Sequence, residues 1–224
     1  PGNGSGGGAD TTSFDYSGDY DGTLIADSEE KTSSDKVEST ESLKCAALID
    51  NDGKLTLNGA TLVKSGDSND GDKCNFYGVN SILTAVGEDS IAYVTGSSLT
   101  STSEGSNGMF ATDGAEIYAS GSSISTSKGN SRGLDATYSG EIYTNGMNIS
   151  TNGNHCAALA TDRGGGIVYT NGSSLKTGGS GSPLLYSTGT VAITGTTGKS
   201  TGSQIAGMEG LNTISIDSSE LKST

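Results

Sequence analysis

A glycine recurs along this chain in one fixed setting, and that recurrence limits what the chain can fold into more than any other feature. Residues 141–153 read EIYTNGMNISTNG. Residues 118–126 (YASGSSIST), 168–177 (VYTNGSSLKT) and 94–101 (VTGSSLTS) repeat the same pattern around their own glycine. Aligning on it gives Gly59, Gly96, Gly121, Gly146, Gly172 and Gly195, with Ser218 in the last place, at separations of 37, 25, 25, 26, 23 and 23 residues. A period of this length is the mark of a solenoid.

Position by position, the repeat reads as three short strands per coil. Four residues before each anchor stand Leu55, Ala92, Ile117, Ile142, Val168, Val191 and Ile214. Two before it stand Leu57, Val94, Ala119, Thr144, Thr170, Ile193 and Ile216. Alternation with period two turns both columns to one side, the interior. Three residues after the anchor come Leu62, Leu99, Ile124, Ile149, Leu175, Gly198 and Leu221. Five after it come Lys64, Ser101, Thr126, Thr151, Thr177 and Ser200, mostly small inward hydroxyls that need hydrogen-bond partners along the stack or on the backbone. A third wall is marked by Leu83, Met109, Leu134 and Leu159, continued by Leu184 or Leu185. Three walls turning through about 23 to 26 residues predict an all-β fold, a parallel β-helix, right-handed by the crossover rule.

Composition agrees with a thin core. Only 31% of the 224 residues are hydrophobic and 36 are glycine, too little apolar material for a thick globular interior. The formal charge of −14, from 26 acidic against 12 basic residues, repels phosphate backbones, so nucleic acid is not an expected partner. No apolar run approaches ~18 residues, and membrane insertion is not expected. The three cysteines, Cys45, Cys74 and Cys156, match no metal-ligand spacing.

Residues 1–13 form a Gly-rich lead-in, and 14–224 a single β-helix domain. Within it, residues 14–44 are expected to form an atypical first coil that covers the open end of the core. The 12 additional residues between the first two anchors predict a loop around residues 68–77 (SNDGDKCNFY), thrown out from one corner. After the last coil no polar or helical segment covers Ile214, Ile216 and Leu221. The expectation is that further chain or a partner covers that edge.

The strings AALATDRGGG (157–166) and GSPLLYST (181–188) resemble the pattern of bacterial surface or secreted β-helix proteins described as adhesin-like or carbohydrate-binding, and NFYGVNS (75–81) and SNGMF (106–110) are similar to earlier parts of it. The resemblance covers most of the chain from Asp15 onward. It implies a β-helix at a cell surface or outside the cell, contacting glycans or a neighbouring cell, and it brings no catalytic residue with it.

Chemistry suggests a few candidate sites. Tyr93, Tyr118, Tyr143 and Tyr169 stand three residues before four successive anchors, between inward neighbours, and so face outward. Such a ladder offers aromatic surface to sugar rings, with Glu116 and Glu141 two residues upstream as hydroxyl acceptors. The same rings also stabilise a wall simply by stacking. Asp113, Asp135 and Asp162 fall nearby, and Arg132, Arg163 or Lys128 could serve as a base in a polysaccharide lyase or hydrolase, but solvated turns are the expected role for these aspartates. No cofactor is expected: Asp67, Asp70 and Asp72 surround Gly66 and Gly71 and could hold one calcium ion, but they match neither the glycine-aspartate repeat of a calcium-binding β-roll nor the twelve-residue helix-loop-helix pattern. His155 and Cys156 invite a nucleophile. The match of HCAAL (155–159) with KCAAL (44–48) instead reads both cysteines as wall residues in equivalent positions, and Cys74 as a partner that Cys45 could pair with.

Overall fold

The computed structural model describes residues 12–224. Three eight-stranded parallel sheets, here A, B and C, run the length of the described chain, and each of eight coils supplies one strand to each. The first coil contributes Gly22–Asp27, Glu30–Ser33 and Lys36–Ser39; the fourth Met109–Thr112, Glu116–Ser120 and Ser123–Thr126; the eighth Ala206–Met208, Thr213–Asp217 and Glu220–Ser223. The fold is therefore a parallel β-solenoid with three strands per coil, as the repeat predicts.

Register puts the inward columns directly above one another. Ala92, Ile117, Ile142 and Val168 are successive partners in sheet B, and Leu99, Ile124, Ile149 and Leu175 in sheet C. All eight are sealed from solvent. In sheet A the partner of Leu159 is Leu185, and Leu184 is buried beside it. Three of the inward hydroxyls find backbone acceptors at the next corner: Ser39 Oγ donates to Lys44 O (2.7 Å), Thr126 Oγ1 to Ser131 O (2.7 Å) and Thr151 Oγ1 to Cys156 O (2.6 Å), while Ser101 Oγ meets Ser103 Oγ at 2.9 Å and Thr177 Oγ1 has no partner. Each bond to the backbone satisfies a buried carbonyl that the turn leaves without a ladder partner.

The anchor glycine marks the turn from sheet B to sheet C. Its φ lies between 54° and 67° in all six copies, and Ser218 adopts 48°. Left-handed backbone is what selects glycine there, since a Cβ at Gly121 would meet nothing within 4 Å. Gly140 is constrained differently. Its Cβ would lie 2.1 Å from the carbonyl oxygen of Ala111 in the preceding coil. Gly121→Ala is accordingly expected to cost about 1 kcal/mol and Gly140→Ala about 3 kcal/mol, measured as shifts in urea midpoint. Equal costs at the two positions would contradict this division between conformational and steric glycines.

The segment expected to cap the N-terminal end divides into two parts. Residues 22–39 form a complete coil paired in all three sheets. Its Lys31 stands in the inward column where the next coil has Leu55, and its ammonium donates to Ile25 O at 2.5 Å and pairs with Glu29 at 2.8 Å. A charged, partly exposed side chain thus stands at the N-terminal end of that column. Residues 14–20 lie instead against the outside of sheet A: Phe14 meets the rings of Tyr77 and Tyr138 edge-on, and Tyr20 Oη donates to Tyr77 O at 2.7 Å. At the other end Ile216, Met208 and Leu211 are exposed. Of the Gly-rich lead-in, residues 1–11 lie outside the described residues.

The expected protruding loop is a flap. Residues 65–82 fold back over the outer face of sheet A through a π-helical turn, Lys73–Tyr77, closed by Gly78 at φ 68°. Gly78 sits so close to Phe110 that a Cβ would fall 2.3 Å from the ring. The flap reaches three coils along the stack: Asn107 Nδ2 donates to Cys74 O (3.0 Å), Arg132 Nη1 to Asn75 Oδ1 (2.6 Å) and Thr137 Oγ1 to Phe76 O (2.8 Å). It covers the outward column Leu48, Thr84 and Phe110, all of it buried.

That register also corrects the pairing of KCAAL with HCAAL. The column runs Ala47, Leu83, Met109, Leu134, Leu159, so Leu159 matches Ala47, and Cys156 stands one position out of step with Cys45. A one-residue offset turns a strand residue to the opposite face, which is why Leu48 points outward beneath the flap. Cys45 and Cys74 are not joined; all three cysteines are free and buried.

Candidate functional site

The tyrosine column is on the outside of sheet B, where the alternation puts it. Tyr93, Tyr118, Tyr143 and Tyr169 are successive partners, with Tyr93 44% and Tyr118 37% exposed and the other two partly covered. Tyr93, Tyr118 and Tyr143 stack on one another at 5.7 Å between centroids and 18° between planes. Stacking occupies ring faces, so the middle ring presents its edge to solvent. The next outward column, Thr95, Ser120 and Asn145, lies parallel to the rings. Between the two columns runs an open trough of about 440 Å³, which also reaches Tyr169.

Glu116 and Glu141 belong to this face. The Tyr118 hydroxyl donates to Glu116 Oε2, and the Tyr143 hydroxyl to Glu141 Oε2 at 2.6 Å. The Glu116 carboxylate, with burial as the lesser cause, pushes the Tyr118 phenol up to about 12. Burial and then Glu141 raise that of Tyr143. Both phenols are therefore neutral donors at physiological pH, held in place by their carboxylates.

Asp67, Asp70 and Asp72 do not converge. Asp67 accepts from Lys128 Nζ at 2.9 Å and from the Glu104 N–H at 2.9 Å, and the lysine holds its carboxyl below the usual range. Asp70 accepts from the Lys73 N–H at 3.2 Å and pairs with the Lys73 ammonium at 3.3 Å. Two of the three carboxylates thus fasten the flap, and among the described residues no group of three or more His, Cys, Asp or Glu side chains is arranged to hold a metal ion.

The bases named for an enzymatic reading are also dispersed. Lys128 is engaged with Asp67, and the Arg163 guanidinium lies over the Phe76 ring, 4.1 Å from its centroid. Burial pushes the thiols of Cys45 and Cys156 up to about 11, so neither is a thiolate nucleophile.

Arg132 is different, and so is Asp135, which is no solvated turn residue. Asp135 is the outward residue of its strand, following Phe110 in the column under the flap, and it is completely buried. Arg132 Nε lies 3.7 Å from Asp135 Oδ2, and Arg132 Nη2 lies 3.4 Å from Asp162 Oδ2. No protein donor reaches either Asp135 oxygen, and burial, only partly offset by Arg132, raises its carboxyl well above the ordinary value. Arg132 and Asp162 line a hollow of about 220 Å³ with His155, Ala157, Gly181, Pro183 and Tyr186. The legible signal for this cluster was the pair of large apolar residues Leu48 and Phe110 in an outward column, which marks a covered face.

No protein-family model matches this chain, and no characterised protein or solved structure shows significant similarity to it. Among the described residues no helix is long and apolar enough to cross a membrane.

Proposed function

We propose that this β-solenoid is a non-catalytic binding module, secreted or held at a cell surface, that takes a glycan along the outer face of sheet B. The observation that carries the reading is the trough itself, with tyrosines along one side and Thr95, Ser120 and Asn145 along the other. An extended sugar chain needs apolar surface for its C–H groups and amides or hydroxyls for its polar ones, repeated along a line. The solenoid supplies both at the strand spacing, ~4.8 Å. Many weak contacts on one rigid face gain strength by acting together. The resemblance of the TDRGGG and GSPLLYST strings to adhesin-like surface proteins points the same way.

Because the rings stack on one another, the sugar contacts ring edges and the flanking column, where an isolated ring would offer its face. The same stacking favours a second reading, a spacer whose ladder only stiffens the wall. A glycan array separates the two. Tyr118→Ala with Tyr143→Ala is expected to weaken any glycan bound by about tenfold or more, at a stability cost of about 1 to 3 kcal/mol. If no glycan binds, or if binding survives in the folded double variant, the trough is not the site. A lyase or hydrolase is disfavoured by the geometry: Glu116 and Glu141 are each tied to a phenol, while Lys128 and Arg163 are engaged around the flap.

A further inference from the structure

We infer that the hollow beside Arg132, on the outer face of sheet A, is a second ligand site, one that takes a single neutral, hydroxyl-rich ring such as the terminal residue of a saccharide. It lies on a different sheet from the tyrosine trough and does not depend on that trough binding anything.

Size comes first. At about 220 Å³ the hollow is smaller than the roughly 300–1,000 Å³ of pockets for drug-sized ligands, and it suits one ring. Its lining divides by chemistry. The partly exposed ring of Tyr186 offers apolar surface for the C–H side of a pyranose, with the buried Pro183 and Ala157 beside it. Arg132 and Asp162 offer a donor and an acceptor 3.4 Å apart. That pairing matches two neighbouring hydroxyls, one accepting from the guanidinium while the other donates to the carboxylate.

The pair is also held in place. Arg132 Nη1 is fixed by Asn75 of the flap at 2.6 Å, and its Nε faces the buried Asp135. Asp162 Oδ1 accepts from the Arg163 N–H at 3.0 Å, which leaves Oδ2 turned to Arg132. A buried carboxyl with no protein donor, set behind an arginine at the floor of a hollow, is costly and contributes nothing to packing. The charge selects the ligand: with Asp162 and Glu209 close by in a chain of net charge −14, a uronate or another anionic ring is repelled.

The test is saturation-transfer NMR on the whole chain with neutral hexopyranoses and, separately, glucuronate and galacturonate. Signals are expected from at least one neutral hexose and from neither uronate. They should fall about tenfold or more in Asp162→Ala and in Tyr186→Ala, and persist in Tyr118→Ala/Tyr143→Ala. Asp162→Asn, which keeps the side-chain shape, is expected to weaken the same signals and guards against a folding defect in the alanine variant. Silence from every neutral hexose overturns the inference, as do signals that survive both Asp162→Asn and Tyr186→Ala or uronates that bind equally well. Loss of polymer binding in the tyrosine variant with the hexose signal intact would uphold both sites separately.

Discussion

Lys64→Met is expected to lower the unfolding free energy by about 3 kcal/mol, read from urea denaturation. Lys64 occupies the inward column that Ser and Thr fill in the other coils, and it is fully buried. Its ammonium donates to the carbonyls of Glu41 (2.9 Å), Ser65 (2.8 Å) and Gly66 (3.0 Å). Gly66 O also accepts from Asn80 Nδ2 at 3.2 Å. Methionine keeps the apolar stem but leaves the other two carbonyls without a donor, at ~1–3 kcal/mol each. The effect should spread, because the flap leaves the solenoid at Ser65. Loosening its root uncovers Leu48 and Phe110, so dye binding to exposed apolar surface should rise with the variant. Burial pushes the Lys64 amine down to about 8, with Cys45, Cys74 and Asp67 opposing that shift. A Met variant as stable as the parent would mean that the ammonium's desolvation cancels its bonds.

Asp135→Asn is expected to have the opposite sign, stabilising the protein at pH 8 by about 2 kcal/mol and leaving it nearly unchanged at pH 4. The Asp135 carboxyl is raised well above its ordinary value, so the folded state holds a proton that the unfolded chain gives up. Its contribution is therefore intact at acid pH and is lost as pH climbs from ~4 towards the folded value. Arg132 opposes the rise and Asp162 adds to it. Asparagine cannot ionise, so the difference between parent and variant should widen as pH rises. Thermal melts of both proteins from pH 4 to pH 8 measure this. A gap that narrows with pH, or an Asn variant less stable at pH 8, would show that Asp135 is charged and bonded to Arg132 in the fold.

Local chemistry made much of the architecture readable. The turn from sheet B to sheet C needs left-handed backbone, so glycine records its position, and an extended strand alternates its side chains without reference to anything distant. Hence Ile117 over Ile142, and the tyrosines on the outside, follow from spacing alone. The stacking of Tyr93, Tyr118 and Tyr143 did not, because it depends on ring rotation and on which hydroxyl Glu116 and Glu141 accept.

By itself the sequence determined the period, the three walls and the inward columns, since each coil repeats the same short-range rules and stacks only on its neighbours. The tertiary structure decided what lies on the outer face of sheet A. Asn75 meets Arg132, Phe76 meets Thr137 and Tyr77 stacks on Tyr138 across 57 to 61 residues of chain. No periodicity records where a non-repeating flap lands. The burial of Asp135 and the hold of Asn75 on Arg132 belong to that assembled surface, because desolvation is a property of no segment alone.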